Sequence, residues 1–334
     1  MKIVIPMAGM GKRMRPHSLT IPKPLIPVAG KPIVEHLVED IVQLSNEKVD
    51  EIAFVIGRFG KQVEESLKKV AEHQGAKASI YYQDEALGTA HAILCAEKSL
   101  SGKTVVAFAD TLFRCEEKFD SNCDGIIWVN QIDDPSAFGV VKVDGKNVIT
   151  DFVEKPTEFV SDLAIIGIYY FKDGENLKKE LQYLIDNDIK DKGEYQITNA
   201  LENMTANGKK LQAGKVQEWL DCGNKNATVY TNQRVLEIKK RNYKIPSSIK
   251  QKHAVIIEPC SIGENVEITH SIIGPHVSVG ANTKVDNSVI QNSIIQENSN
   301  VSNACISNSM IGNYVTVNRA AEDLSIGDFS VSEE

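Results

Sequence analysis

From Ile256 to Val317 an aliphatic side chain returns every five or six residues, at Ile256, Ile262, Ile268, Ile273, Val279, Val285, Ile290, Ile295, Val301, Ile306, Ile311 and Val317. Ser, Asn and Gly are abundant among the residues between them. Such a period fits neither the turn of an amphipathic helix, about 3.6 residues, nor the two-residue alternation of a half-buried strand. Coils this short bury too little surface to stand alone, so the segment is stable only as a stack in which each coil covers the next.

The pairs Ile262-Gly263, Ile273-Gly274, Val279-Gly280 and Ile311-Gly312 resemble hexapeptide repeats, which wind into a left-handed parallel β-helix with one aliphatic side chain per face pointing inward. Thr228 to Tyr243 reads as a connecting helix and Pro246 as its stop. The expected division is a first domain over residues 1–235, a linker over 236–250 and the repeat domain over 251–334.

The first two-thirds alternates strand and helix signals. Lys2–Pro6, Glu51–Gly57, Ala78–Tyr82 and Thr104–Ala109 read as strands, with helices over Pro32 onward, Lys61–His73 and Thr89–Leu100. In the first helix Ile33, Val34, Leu37, Val38, Ile41 and Val42 make the apolar face, with Glu35 and Glu39 outward. Such βαβ units predict an α/β fold around a Rossmann-like, mostly parallel sheet, with ligands at the carboxyl ends of its strands. Gly9, Gln83 and Asp110 each follow such an end. A hairpin about Asp144-Gly145, spanning Gly139–Val153, and a strand Ala164–Phe171 extend the sheet.

Directly after Ile3-Val4-Ile5 comes a sign reversal. Residues 1–34 carry six cations, Lys2, Lys12, Arg13, Arg15, Lys23 and Lys31, and no Asp or Glu, in a chain of formal charge −8. This is a place built for an anion. Gly9 and Gly11 let backbone N–H groups turn toward a ligand, and Arg13 offers a fork that matches phosphate oxygens. Read alone, Gly9 to Arg13 also suits a basic surface turn. A P-loop is excluded, because Pro6 occupies the first glycine position and Arg13 follows Lys12; Met14 likewise excludes a dinucleotide fingerprint. Pro16, Pro22, Pro24 and Pro27 predict a stiff, extended arm that delivers Lys23.

The run Gly9-Met-Gly11-Lys-Arg13, Pro22-Lys23-Pro24-Leu25 and Pro27-Val28-Ala-Gly30-Lys31-Pro32 resembles the signature of the sugar-1-phosphate nucleotidyltransferases. The resemblance implies that Arg13 and Lys23 hold a nucleoside triphosphate at the reacting phosphoryl group, with Ala8, Gly9, Gly11 and Lys12 completing the phosphate loop. Lys12 departs from the Thr more common there. Gln83-Asp-Glu-Ala-Leu-Gly88-Thr89-Ala90 offers an amide suited to a base edge and, locally, reads equally as a polar loop with an N-cap at Thr89. Its likeness to the base-binding loop of thymidylyl and uridylyl members favours a pyrimidine. Asp110 and Asp221, alone, also suit Asx turns. The family places metal-binding carboxylates after the central strand and in a Trp-x-Asp-x-Gly segment, which Trp219, Asp221 and Gly223 match. Asp110 is thereby expected to serve catalysis as well as to bind Mg2+. Gly139, Glu154, Lys155 and Glu194 are the resemblance's candidates for the sugar phosphate; Gly139 and Glu154-Lys155 sit at the two ends of the hairpin. Ile165 and Ile166 replace a polar residue of some mannose-specific members.

A composition of 42% hydrophobic and 25% charged residues over 334 positions is that of a globular chain large enough for two domains. The six cysteines, Cys95, Cys115, Cys123, Cys222, Cys260 and Cys305, show no metal-site spacing and read as reduced thiols. Pro6 and Gly9 interrupt the first apolar stretch too early for a secretion signal, no run reaches the length of a membrane span, and the acidic balance argues against nucleic acid. A cytoplasmic homo-oligomer joined through its repeat domain is expected. The reaction expected from the resemblance uses dTTP and glucose 1-phosphate. UTP or GTP in place of dTTP, a bifunctional acyltransferase using His253, His270 or His276, and a scaffold subunit remain alternatives; the last would lack Arg13, Lys23, Asp110 or Asp221, and all four are present.

Overall fold

The computed structural model describes residues 1–45, 47–240, 243–320, 325–327 and 329–331. It divides into two compact units, Met1–Ile26 with Lys31–Ala227, and Pro27–Gly30 with Thr228–Glu334.

In the first unit four parallel strands form the centre of a mixed sheet, in the order Lys77–Tyr82, Glu51–Ile56, Lys2–Pro6, Thr104–Ala107. Ile3, Val4, Ile5 and Ala53 to Ile56 are fully buried, so the central strands need cover on both faces. Helix Ile33–Leu44 buries Ile33, Val34, Leu37, Val38, Ile41 and Leu44. Leu163–Phe171 runs antiparallel to Thr104–Ala107 and also pairs with Gly125–Gln131. The sheet therefore ends in an antiparallel half that carries the hairpin Gly139–Val143 and Ile149–Glu154.

Several expected details differ. The proline-rich arm is not extended: residues 12–14, 17–19 and 23–25 are 3-10 turns, with Leu25 N–H donating to the Pro22 carbonyl at 2.9 Å and Ile26 N–H to that of Lys23 at 3.0 Å. Proline's fixed φ suits such a turn as well as an extended chain. The helix expected over Thr89–Leu100 ends at Leu94 and tightens into a 3-10 turn over Glu97–Ser99. The strand from Thr104 ends at Ala107, because Phe108 N–H turns to the Gly167 carbonyl. The hairpin loop takes its left-handed residue at Asn147 instead of Gly145; Asp144 Oδ1 accepts from the N–H groups of Lys146 and Val148 and sets the turn. Glu35 and Glu39 are half-buried, facing His73 and Lys31. The helix expected over Thr228–Tyr243 spans Lys225–Ile238; residues 241 and 242, like parts of the repeat segment at 321–324, 328 and 332–334, lie outside the described residues.

The second unit is built of three parallel ladders of two- and three-residue strands. One coil takes the chain from Lys250 to its ladder neighbour Glu267, and later coils carry Lys284 to Asn300 and Asn300 to Thr316. Ile268, Ile273, Val279, Val285, Ile290, Ile295 and Val301 are stacked in a common core. The abundant Asn residues have a structural reason. Asn265, Asn282 and Asn298 hold left-handed backbone conformations, which Asn tolerates better than other side chains, and so do Asn287, Asn303, Asn292 and Asn308. Fully buried Asn232 ties the unit together: its Oδ1 accepts from Ala29 N–H at 2.8 Å and Ser278 Oγ at 2.6 Å, while its Nδ2 donates to the His276 carbonyl at 3.2 Å.

Candidate active site

A cleft of about 440 Å3 opens in the first unit and collects Ala8, Gly9, Gly11, Lys12, Arg13, Lys23, Gln83, Gly88, Thr89, Asp110 and Glu194. Ala8 to Lys23, Gln83 to Thr89 and Asp110 each follow a different strand of the sheet, and Glu194 comes from the loop before helix Ile197–Ala206. Gly11 is left-handed, φ 56°, and Ser18 Oγ donates to its carbonyl at 2.7 Å. A Cβ on Gly11 would lie 2.9 Å from Lys23 Cβ, so the turn carrying Arg13 packs directly on the turn carrying Lys23. Lys23 is only 7% exposed, and its Nζ contacts Asp110 Oδ2 at 3.0 Å. The cation the arm delivers is thus fixed by packing and by a carboxylate.

Asp110 and Asp221 are neighbours through the backbone, for Cys222 N–H donates to the Asp110 carbonyl at 3.0 Å. Asp221 Oδ1 accepts from Gly223 N–H at 2.9 Å. Burial pushes the Asp221 carboxyl above the usual carboxylate range; the charge of Lys23 opposes this, that of Asp110 adds to it, and Arg13 opposes it. Two carboxylates and two cations therefore share one field. All six cysteines are unbridged. Among the described residues no cluster of three His, Cys, Asp or Glu side chains offers a complete protein cage for a metal. A pair of carboxylates is the donor set left for a hard cation that takes its other ligands from phosphates and water.

Gln83 lines the same cleft. Its Nε2 lies 3.4 Å from the Gly88 carbonyl and 3.2 Å from His91 Nδ1. Gly88 has φ 115°, and a Cβ there would fall 2.4 Å from the Tyr195 carbonyl. Only glycine fits. Ala90 N–H donates to that carbonyl at 2.9 Å, Tyr195 N–H to the Leu87 carbonyl at 2.9 Å, and Ile197 N–H to Thr89 Oγ1 at 2.9 Å. Thr89 Oγ1 also donates to Gln196 Oε1 at 3.0 Å. Thr89 is thus no helix cap; Gly88 holds the cap position, and the threonine clasps the loop to Tyr195–Ile197. Sequence reasoning missed this clasp and His91.

The sugar candidates divide. Glu194 reaches the cleft, whereas Gly139, Glu154 and Lys155 form a cluster of their own. Gly139 pairs with Glu154 across the hairpin, and Thr198 Oγ1 lies 3.3 Å from Glu154 Oε2. Lys155, in a left-handed conformation at φ 44°, faces Glu154 Oε1 at 3.5 Å, and Lys192 Nζ donates to its carbonyl at 2.8 Å. A strained non-glycine backbone held by flanking bonds is common beside ligand sites. Trp219 packs edge-on against Phe138, the residue before Gly139. In the repeat unit His276 Nε2 faces Glu237 at 3.0 Å and is not a surface group, while His270 is half-exposed and faces Asp286 at 3.3 Å.

The pattern of the family described as "Nucleotidyl transferase" matches residues 2–238. The chain belongs to that family. It is 28% identical over 333 residues to the low-salt glycan biosynthesis nucleotidyltransferase Agl11 of Haloferax volcanii, covering 87% of each chain. It is 28% identical over 300 residues to a glucose-1-phosphate thymidylyltransferase of Streptomyces antibioticus, covering 87% of this chain and 81% of that one. Bifunctional protein GlmU of Methanococcus maripaludis is 30% identical over 265 residues, 77% of this chain but only 60% of GlmU. Among solved structures, apo UDP-glucose pyrophosphorylase superposes with a TM-score of 0.60 at 24% identity, over 72% of this chain and 98% of that one, a likeness of fold. Among the described residues no helix is long and apolar enough to cross a membrane.

Proposed function

We propose that the protein transfers a nucleotidyl group from dTTP to glucose 1-phosphate, giving a nucleotide sugar and pyrophosphate, with UTP as the alternative triphosphate. The observation that carries this reading is the convergence of Arg13, Lys23, Asp110 and Gln83 on one cleft. A phosphate oxygen of the sugar 1-phosphate attacks the α-phosphorus in line; the bond from that phosphorus to the bridging oxygen of the β-phosphate breaks, and pyrophosphate leaves. The nucleophile is already an anion, so no general base is needed. Catalysis consists of aligning two polyanions and stabilising charge at the α-phosphoryl group and the leaving pyrophosphate. Arg13 and Lys23 supply that charge from turns that packing holds in place.

Asp110 and Asp221 fit Mg2+, whose hard-oxygen preference they meet and whose remaining positions substrate oxygens and water would fill. Held by Asp110 and Asp221, the ion would supply positive charge against the negative charge of the phosphates. The Gly139, Glu154 and Lys155 cluster is the proposed sugar-phosphate site, with Glu194 between the two ligands in function. Residues 1–235 are the proposed catalytic domain. The repeat unit is read as a left-handed β-helix that joins subunits, supported by exposed Val255, Ile272 and Val289, which align in one ladder. Unbridged cysteines suit a cytoplasmic setting.

The test is pyrophosphate release from each of four nucleoside triphosphates over a panel of sugar 1-phosphates. The expected optimum is dTTP with glucose 1-phosphate. Release that ignores the sugar phosphate, or no release with any pair, rejects the reading.

A further inference from the structure

The amide of Gln83 is not free to turn. Its nitrogen end meets two groups, the Gly88 carbonyl at 3.4 Å and His91 Nδ1 at 3.2 Å. A carbonyl only accepts, so the end facing Gly88 must be the NH2. His91 Nδ1 must then accept as well, which puts the imidazole proton on Nε2. The carbonyl fixes which end is the NH2, but at 3.4 Å it holds that end weakly, so the shorter His91 contact supplies most of the restraint on the amide. With both N–H bonds directed at the protein, Oε1 is the atom left for a ligand in the cleft that Gln83 lines.

We propose that His91 is a positioning residue for base selection: it holds Gln83 so that the cleft presents a hydrogen-bond acceptor. This rests on the nucleotidyl-transfer reading above and deepens it. Thymine and uracil carry an N3–H donor at the middle of their pairing edge, and it matches Oε1. Cytosine carries an unprotonated N3 there, so acceptor would meet acceptor, and a buried unmatched pair of this kind discriminates strongly. The clasp of Thr89 on Gln196 and Ile197 fixes the helix that bears His91, which makes the selection a property of the loop and not of Gln83 alone.

The experiment compares kcat and KM for UTP and CTP, with saturating glucose 1-phosphate, in the unmodified protein, His91→Phe and His91→Asn, with thermal unfolding to verify folding. In His91→Phe the ring keeps its bulk but loses the acceptor, and the amide can rotate. The UTP to CTP ratio of kcat/KM should narrow about tenfold or more, mainly through KM, with kcat for UTP within about twofold. His91→Asn, which again offers an acceptor, should recover most of the ratio. A folded His91→Phe with an unchanged ratio overturns the proposal, as does a uniform loss on both nucleotides that Asn does not rescue. Should the Phe variant not fold, His91→Leu takes its place. A second measurement uses the unmodified protein with N3-methyl-UTP: a drop of about tenfold or more against UTP supports the acceptor, and equal use overturns it. Failure of the unmodified protein to release pyrophosphate from any pyrimidine triphosphate is a failure of the functional reading itself.

Discussion

At the scale of the residue, Arg13, Lys23 and Asp110 line the cleft and their charges act on Asp221, and the balance is sensitive to each member. Arg13→Ala and Lys23→Ala should each lower kcat/KM by about a hundredfold or more, the scale for removing a positioned charge from a developing anion. Turnover near normal in either folded variant would contradict the placement of the triphosphate. Asp110→Asn and Asp221→Asn should abolish divalent-dependent turnover, and EDTA should do the same to the unmodified protein. The pKa of Asp221 adds a stability signature. Its folded value is raised by burial. Stability from its neutral form is therefore present at low pH and lost as pH climbs from the ordinary carboxylate value through the raised one. Asp221→Asn escapes that loss, so its melting temperature at neutral pH should equal or exceed that of the unmodified protein. Divalent affinity should weaken as pH falls through the same range, because the ion needs the ionised carboxylate. A melting temperature several degrees lower in Asp221→Asn would show that the carboxylate is a structural partner instead.

At the scale of the element, the loop Gln83–Thr89 matters through what it docks on. Gly88→Ala places a Cβ 2.4 Å from the Tyr195 carbonyl, in a backbone conformation that alanine avoids. It should raise KM for the triphosphate about tenfold and lower the melting temperature; kinetics and calorimetry that match the unmodified protein would show that the clasp is dispensable. The strands and the phosphate loop were legible in sequence for different reasons. Apolar runs such as Ile3-Val4-Ile5 dictate burial on both faces, and the phosphate-loop candidates form one contiguous motif. The clasp was not legible, because Thr89 and Gln196 are 107 residues apart and nothing local marks them as partners. The proline arm misled because proline fixes φ while leaving the choice between a turn and an extended chain to ψ. His91 escaped notice because a lone histidine in a helix carries no local signal.

At the scale of the whole molecule, the coils read plainly from their period, and the Asn residues at left-handed corners explain a composition that hydrophobicity alone would not. The sugar cluster was readable only as a set of names; that Glu194 joins the nucleotide candidates while Glu154 and Lys155 stand with Thr198 needed the fold. The exposed ladder of Val255, Ile272 and Val289 argues for self-association. Ending the chain near Lys250 is a poor test, since it strips Ser278 and His276 from buried Asn232 and leaves unmatched polar groups, a loss of about 1–3 kcal/mol each. Ile272→Glu with Val289→Glu changes only exposed positions. Light scattering should then report a smaller species that still releases pyrophosphate, and an unchanged mass would contradict an assembly role for this face.

Attack at the α-phosphorus is the step that defines the proposed reaction. It is tested most directly by incubating the protein, with Mg2+, in α-32P-labelled dTTP or UTP and glucose 1-phosphate, then separating the products. The expected result is that the label passes to the nucleotide sugar in step with unlabelled pyrophosphate release, only when both substrates are present. Label that stays in the triphosphate, or phosphate released from its terminal position, would contradict it.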